Sequence, residues 1–325
     1  MAATNEYSLL CLENPLLDIQ ATGDQALLDK YGLKENDAIL AEEKHLGLYE
    51  DLLTNFDAKL IAGGAAQNTA RGAQYILPEK SVVYIGCVGN DKYAATLQEA
   101  NKQAGLRVEY RVDAEHPTGR CGVIITGHNR SMCTDLAAAN HYKIDHLKQP
   151  EIWSLVEKAK TIYVGGYHFT VRHEALQDPL AEEPAKDNKT FVVSLSAPFI
   201  CQFFKEPLDK SAPYWDVVIA TVSRPPTLLE VAQHLGDSPK ENTKRERLAI
   251  ITQGTLPTIV ATQGKGTKSY PVHAIDPKAI CDTNGAGDAF AGGFVAGLVQ
   301  NKSVEESVDM GQWLARLGIQ ELGPS

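Results

Sequence analysis

Six short stretches of the chain are apolar almost without a break and rich in Val and Ile. They are YSLLCLE at residues 7–13, SVVYIGCVG at 81–89, KTIYVGGYHF at 160–169, TFVVSLS at 190–196, WDVVIAT at 215–221 and RLAIITQG at 247–254. A strand with one wet face alternates apolar and polar residues, whereas an unbroken apolar run suits a strand buried on both faces. Helical patterns fill several of the gaps. GGAAQNTARGAQYIL at 63–77 is one, and DKYAATLQEANKQAG at 91–105 is another, with an Asp to start it and a Gly to stop it. Strands alternating with helices predict an α/β fold with a mostly parallel sheet.

Two stretches break this rhythm. Residues 119–140, GRCGVIITGHNRSMCTDLAAAN, pattern as a hairpin with GHNR at its turn, and residues 19–45 are similarly β-like. Together they predict a small β-rich lid on a larger α/β domain formed by residues 1–18, 46–118 and 141–325. The polar run GDSPKENTKRER at 236–247 reads as a solvated connector.

Composition narrows the function classes. With 325 residues, 43% hydrophobic and 22% charged, the chain can bury a sizeable core. A formal net charge of -10 argues against nucleic acid held on a broad basic surface. A phosphorylated ligand remains compatible if a few cations and backbone amides meet it locally. The six cysteines are scattered without a C-x-x-C pair, which suggests neither a zinc site nor a disulfide framework. The first residues lack the pattern of a secretory signal, and no apolar run approaches the roughly 18 residues of a membrane span. These features point to the cytoplasm, or the nucleus, and away from a membrane.

The candidate chemistry lies in CDTNGAGDAF, residues 281–290. A helix N-terminus carries unpaired N–H groups and about half a positive charge. Gly285, Ala286 and Gly287 would let an anion approach those amides closely. An acid beside an anion site is poor design for binding alone. It makes sense if Asp288 takes a proton from a hydroxyl that attacks a phosphoryl group. The plain alternative is an acid that caps a helix after a glycine turn.

DTNGAGDAFAGGF at 282–294 resembles the C-terminal signature of the ribokinase (phosphofructokinase B) family of small-molecule kinases, and AGGAAQNTAR at 62–71 resembles its N-terminal glycine-rich signature. ENPLLDI, ITGHNRS, LSAPFI, DMGQWLA and the final LGPS are similar to the adenosine kinases of that family, nearest their fungal forms. The resemblance covers essentially the whole chain. It implies a ribokinase-like fold, ATP and Mg²⁺ as cofactors, adenosine as substrate and a monomer. By position, Asn14, Asp18, Gly64 and Asn68 match nucleoside-contacting residues, while Leu16, Leu40, Leu136 and Phe169 would line the base pocket. Arg130 matches a lid arginine that swings over the phosphates. Thr252, Gly254 and Asn284 fall along ATP, Asp288 at the catalytic base, and Gly285, Ala286 and Gly287 at the anion hole.

The chain also departs from its relatives. Where adenosine kinases carry Asn-x-x-Glu to organise the water shell of Mg²⁺, it reads ATVSRPPTLLEV, with Arg224, Pro225 and Pro226 and no acid before Glu230. Glu13 replaces a glycine and would add bulk and charge beside the ribose site. Ser194 replaces an asparagine near the phosphate path. Pro179 and Pro184 would break a helix. Two functions therefore stand side by side. One is a working adenosine kinase with Asp288 as general base. The other is a diverged relative that binds a nucleoside or nucleotide with little turnover, as regulator or scaffold, and a kinase for another nucleoside or sugar is a third.

Overall fold

A computed structural model describes residues 6–127, 129–171, 179–222 and 228–321. The strands are β1 (Leu9–Leu12), β2 (Leu16–Thr22), β3 (Ala38–Leu40), β4 (Lys59–Gly63), β5 (Val82–Gly89), β6 (Arg107–Asp113), β7 (Arg120–Thr126), β8 (Asn129–Asp135), β9 (Thr161–Val164), β10 (Thr190–Ser194), β11 (Val217–Thr221), β12 (Leu248–Gln253), β13 (Leu256–Thr262) and β14 (Gly266–Tyr270). Nine form one sheet in the order β14-β13-β12-β11-β10-β9-β1-β5-β6. From β6 to β12 every neighbour pair is parallel, and only β13 runs against the rest, antiparallel to both β12 and β14. The six unbroken apolar runs of the sequence each supply one of these parallel strands, and β1, β5, β9 and β10 are buried along nearly all their length.

The order of the large sheet has a consequence for function. Chain order runs outward from β1 in both directions, through β5 and β6 on one side and β9 to β12 on the other. Such a reversal leaves a crevice beyond the carboxyl ends of the strands, where ligands of open α/β sheets bind. The chain leaves β1 there through Glu13 and Asn14.

A second sheet has the order β3-β8-β7-β2-β4 and its own small core around Ile19, Leu48, Leu52 and Ile124. It contains the hairpin β7–β8 and also takes in β4. Helices lie on both faces of the large sheet. Ala65–Ile76 and Ala286–Val299 pack on one face with Leu9, Tyr84 and Phe294. Pro150–Lys158 packs on the other face with Leu10, Ile85 and Val164. All six cysteines are free. Among the described residues no helix is long and apolar enough to cross a membrane.

Two local expectations fail. The helix Pro179–Asp187 runs through Pro184, so that proline does not end it. Residues 172–178, which precede it, lie outside the described residues. The connector 236–247 is not simply solvated, because two of its cations, Lys240 and Arg247, turn inward. Lys240 Nζ meets Asp216 Oδ1 at 2.6 Å with both side chains almost fully buried. Arg247 is 1% exposed. Its guanidinium donates to the carbonyls of Ala212, Trp215, Leu235, Ser238 and Pro239 at 2.6–3.3 Å. A loop with few apolar residues is here folded around a cation that replaces a core.

Arg247→Leu keeps an apolar stem but leaves five buried carbonyls without their donor. The expected loss is at least about 3 kcal/mol in urea unfolding. An unchanged midpoint would show that water replaces the guanidinium at little cost.

Candidate active site

Asn14 follows β1 directly and is buried. Its Nδ2 donates to the Tyr167 carbonyl at 3.1 Å. That bond fixes the amide so that Oδ1 is the free end, and no described group donates to Oδ1. A buried acceptor held ready at the edge of a cavity fits a ligand hydroxyl.

The cavity beside it measures about 360 Å³ and lies between the two sheets. Leu16, Asp18, Leu40 and Leu136 line it from the small sheet and its margin, and Gly64 and Asn68 from the other wall. Gly64 has φ +90, and a Cβ there would meet the Asn14 carbonyl at 2.7 Å. Only glycine lets the helix Ala65–Ile76 begin so close to Asn14. Phe169 is not at the cavity. Strand β9 ends at Val164 and residues 166–170 turn as a 3-10 helix, which carries Phe169 into the core beside the sheet. The aromatic walls are Tyr163, Tyr167 and Phe199, with Tyr167 and Phe199 rings 5.9 Å apart. Parity along the strand could have pointed to Tyr163, but nothing in the sequence pattern marks the other two.

At the far end of the cavity lies the helix Ala286–Val299. Gly285 is its N-cap with φ 75, and no side chain caps it. Asn284, Gly285, Ala286, Gly287 and Asp288 all line the cavity. The Ala286 amide donates to the Thr283 carbonyl at 3.3 Å, a long bond that an anion can replace, and no side chain caps the first turn. Asp288 Oδ2 accepts from Asn68 Nδ2 at 2.9 Å. Arg71 donates to Asn68 Oδ1 at 2.7 Å, which turns the Asn68 amide so that its NH₂ faces the carboxylate. Burial pushes the Asp288 carboxyl up to about 7, against the opposing effects of Asn68 and Arg71. Burial also raises Asp18 to about 7, opposed by Arg71 and reinforced by the charge of Asp288.

Arg130 reaches across from β8. Its Nε donates to Asp282 Oδ1 at 3.0 Å, and Asp282 also accepts from the Asn284 amide at 2.9 Å. The hairpin is thus tied to the helix mouth by an ion pair. Thr252 lies one hydroxyl behind the cavity, its Oγ1 at 2.8 Å from that of Thr221, which does line it. Gly254 makes the turn after β12 with φ +61 and is not among the lining residues.

Two of the departures from relatives can be placed at the site. Ser194 lines the cavity beside Ser196, whose Oγ receives the Gly166 amide at 2.8 Å. Glu13 does not project toward the ligand space. It is 1% exposed and turned into the wall, where its carboxylate accepts from two backbone amides. Arg224, Pro225 and Pro226 lie outside the described residues, as does the terminal LGPS. Among the described residues no group of three His, Cys, Asp or Glu side chains is placed to hold a metal ion.

The model of the pfkB family carbohydrate kinases matches residues 25–325. Adenosine kinase from Schizosaccharomyces pombe is 46% identical, over 96% of this chain and 94% of its own length. That from Saccharomyces cerevisiae is 47% identical, over 98% and 96%. The structure of Anopheles gambiae adenosine kinase in complex with P1,P4-di(adenosine-5) tetraphosphate superposes with a TM-score of 0.94 at 40% identity, covering 98% of this chain and 97% of that one.

The raised acids make the site a cost to folding. Asp288 goes from an ordinary 3.8 to about 7 on folding, so the folded chain holds a proton that the unfolded chain has lost. Stability therefore falls as pH rises from about 4 to 7, and the full penalty applies above that. Asp288→Asn keeps the acceptor for Asn68 without the charge. It should raise stability at pH 8 by about 2 kcal/mol and leave it unchanged near pH 4, measured by urea unfolding at both values. A variant no more stable at pH 8 would mean that the carboxylate is well solvated.

Proposed function

Because this chain belongs to the pfkB family of carbohydrate kinases and matches adenosine kinases along nearly its whole length, we infer that it phosphorylates adenosine. The γ-phosphoryl group of ATP passes to the 5′-hydroxyl, giving AMP and ADP. The observation that carries this is a single cavity in which a wall of hydroxyl-binding groups runs straight into an uncapped helix mouth bearing a buried carboxylate.

Asn14 Oδ1, the Asp18 carboxylate and Asn68 suit the ribose hydroxyls, since carboxylate and amide oxygens accept from O–H groups. Tyr167, Phe199, Leu16, Leu40 and Leu136 offer the flat and apolar surfaces that a purine stacks on. A 5′-hydroxyl so held points toward Asp288. Its ionised carboxylate takes the hydroxyl proton as the new O–P bond forms. The amides of Gly285, Ala286 and Gly287 share the charge on the transferring group, and Arg130 adds a cation once it exchanges Asp282 for phosphate. Mg²⁺ would come with ATP and neutralise phosphate charge as the bond breaks. Since the described residues give it no carboxylate cluster, the protein's own share of that task falls to the helix amides and Arg130. Closure of the small sheet as a lid, residues 19–45 and 119–140, would exclude water from the transfer.

The test is ADP release with adenosine and Mg-ATP, run beside calorimetric binding of adenosine. Saturable turnover is expected; binding without turnover would overturn the assignment. The base works only when ionised, so kcat/KM should climb with a midpoint near about 7, the Asp288 value. Asp288→Asn should lower kcat by at least about 10² while adenosine still binds. Full activity in that variant would leave Asp288 no more than a helix cap.

A further inference from the structure

Glu13 sits where the chain leaves β1, at the point of strand-order reversal, and is only 1% exposed. Oε2 accepts from the Ala66 amide at 2.7 Å. Oε1 accepts from the Tyr167 amide at 3.0 Å. These two amides belong to different pieces of the site. Ala66 is in the first turn of the helix that carries Asn68, the partner of Asp288. Tyr167 presents on its other side the carbonyl that orients Asn14.

We infer that Glu13 is a positioning residue: one carboxylate joins the frame of Asn14 to the frame of Asn68 and so sets the distance between the nucleoside end and the phosphoryl end of the site. The inference rests on the adenosine kinase assignment. Both oxygens accept, one from each N–H, so a carboxamide of the same shape cannot replace the group. An amide has one oxygen, and its NH₂ would face a backbone N–H. The surroundings are shaped for the acid. Gly165 has an ordinary φ of -79, yet a Cβ there would lie 1.9 Å from Oε1. The Tyr84 hydroxyl donates to the Glu13 carbonyl at 2.8 Å, which fixes the backbone from the opposite side.

The position also has an electrostatic effect. Burial raises the Glu13 carboxyl to about 8, with the Ala66 and Tyr167 amides and Ser196 opposing and the Asp288 charge reinforcing. Asp288 is faced by Glu13 and Asp18 as acids and by Arg71 as the cation, with Asn68 as donor; Cys11, Tyr84, Tyr163 and Tyr167 are the other titratable groups around Glu13.

Glu13→Gln tests the role. KM for adenosine should rise about tenfold while KM for ATP stays within about twofold, a split worth about 1.4 kcal/mol. Amide exchange at Ala66 and Tyr167 should quicken. Gly165→Ala, which crowds the same carboxylate from the other side, should raise adenosine KM in the same direction. Equal losses toward adenosine and ATP would mark Glu13 as a structural residue only and overturn the inference. If the parent turns over no adenosine, the kinase assignment fails, whereas amide exchange at Ala66 and Tyr167 still decides for or against Glu13.

Discussion

The helices Ala65–Ile76 and Ala286–Val299 touch more closely than ordinary side chains allow, and the geometry of the site depends on that contact. A Cβ on Gly292 would come within 2.8 Å of the Thr69 carbonyl. The close approach lets the Thr69 hydroxyl reach the Asp288 carbonyl at 3.2 Å and the Asn68 amide reach the Asp288 carboxylate. One helix begins at Gly64, beside Asn14, and the other begins at Gly285, at the anion end. Their packing is therefore the ruler that sets hydroxyl against phosphoryl group. Effective positioning of this kind can be worth several kcal/mol of barrier, and an error of one ångström can cost much of it.

Large parts of this were legible in the sequence because they depend on local rules. Unbroken Val- and Ile-rich runs gave the parallel strands, since burial on both faces leaves no polar alternate. Asn284 through Asp288 were legible as a helix mouth because small residues followed by an acid and a long apolar run have few other uses. Asn14, Asp18, Gly64 and Asn68 came through resemblance, and the structure gathers them around one cavity.

What escaped was set by tertiary contacts. Phe169 and Tyr167 are two residues apart, and the start of a 3-10 turn after Val164 decides which of them faces the ligand space. Arg247 and Lys240 look like surface charges in a polar run, and only the carbonyls and the carboxylate waiting for them explain their burial. Glu13 looked like an intruder in the site. Its real environment is two amides contributed by segments more than 50 and 150 residues away in sequence. Arg71, which orients Asn68, carried no signal beyond its place in a helical pattern.

The acidic lining has a consequence for the end of the reaction cycle. In the proposed reaction adenosine, being neutral, would meet Asp18 and Asp288 without electrostatic penalty. AMP leaves the same pocket carrying close to two negative charges, next to carboxyls that each titrate near 7. Once the proton taken from the hydroxyl escapes to water, like charges face one another in a partly dry space, where repulsion is strong. On the proposed mechanism the wall that takes up the nucleoside would for that reason expel the nucleotide, and ejection of product would lie with the same two acids that receive the substrate.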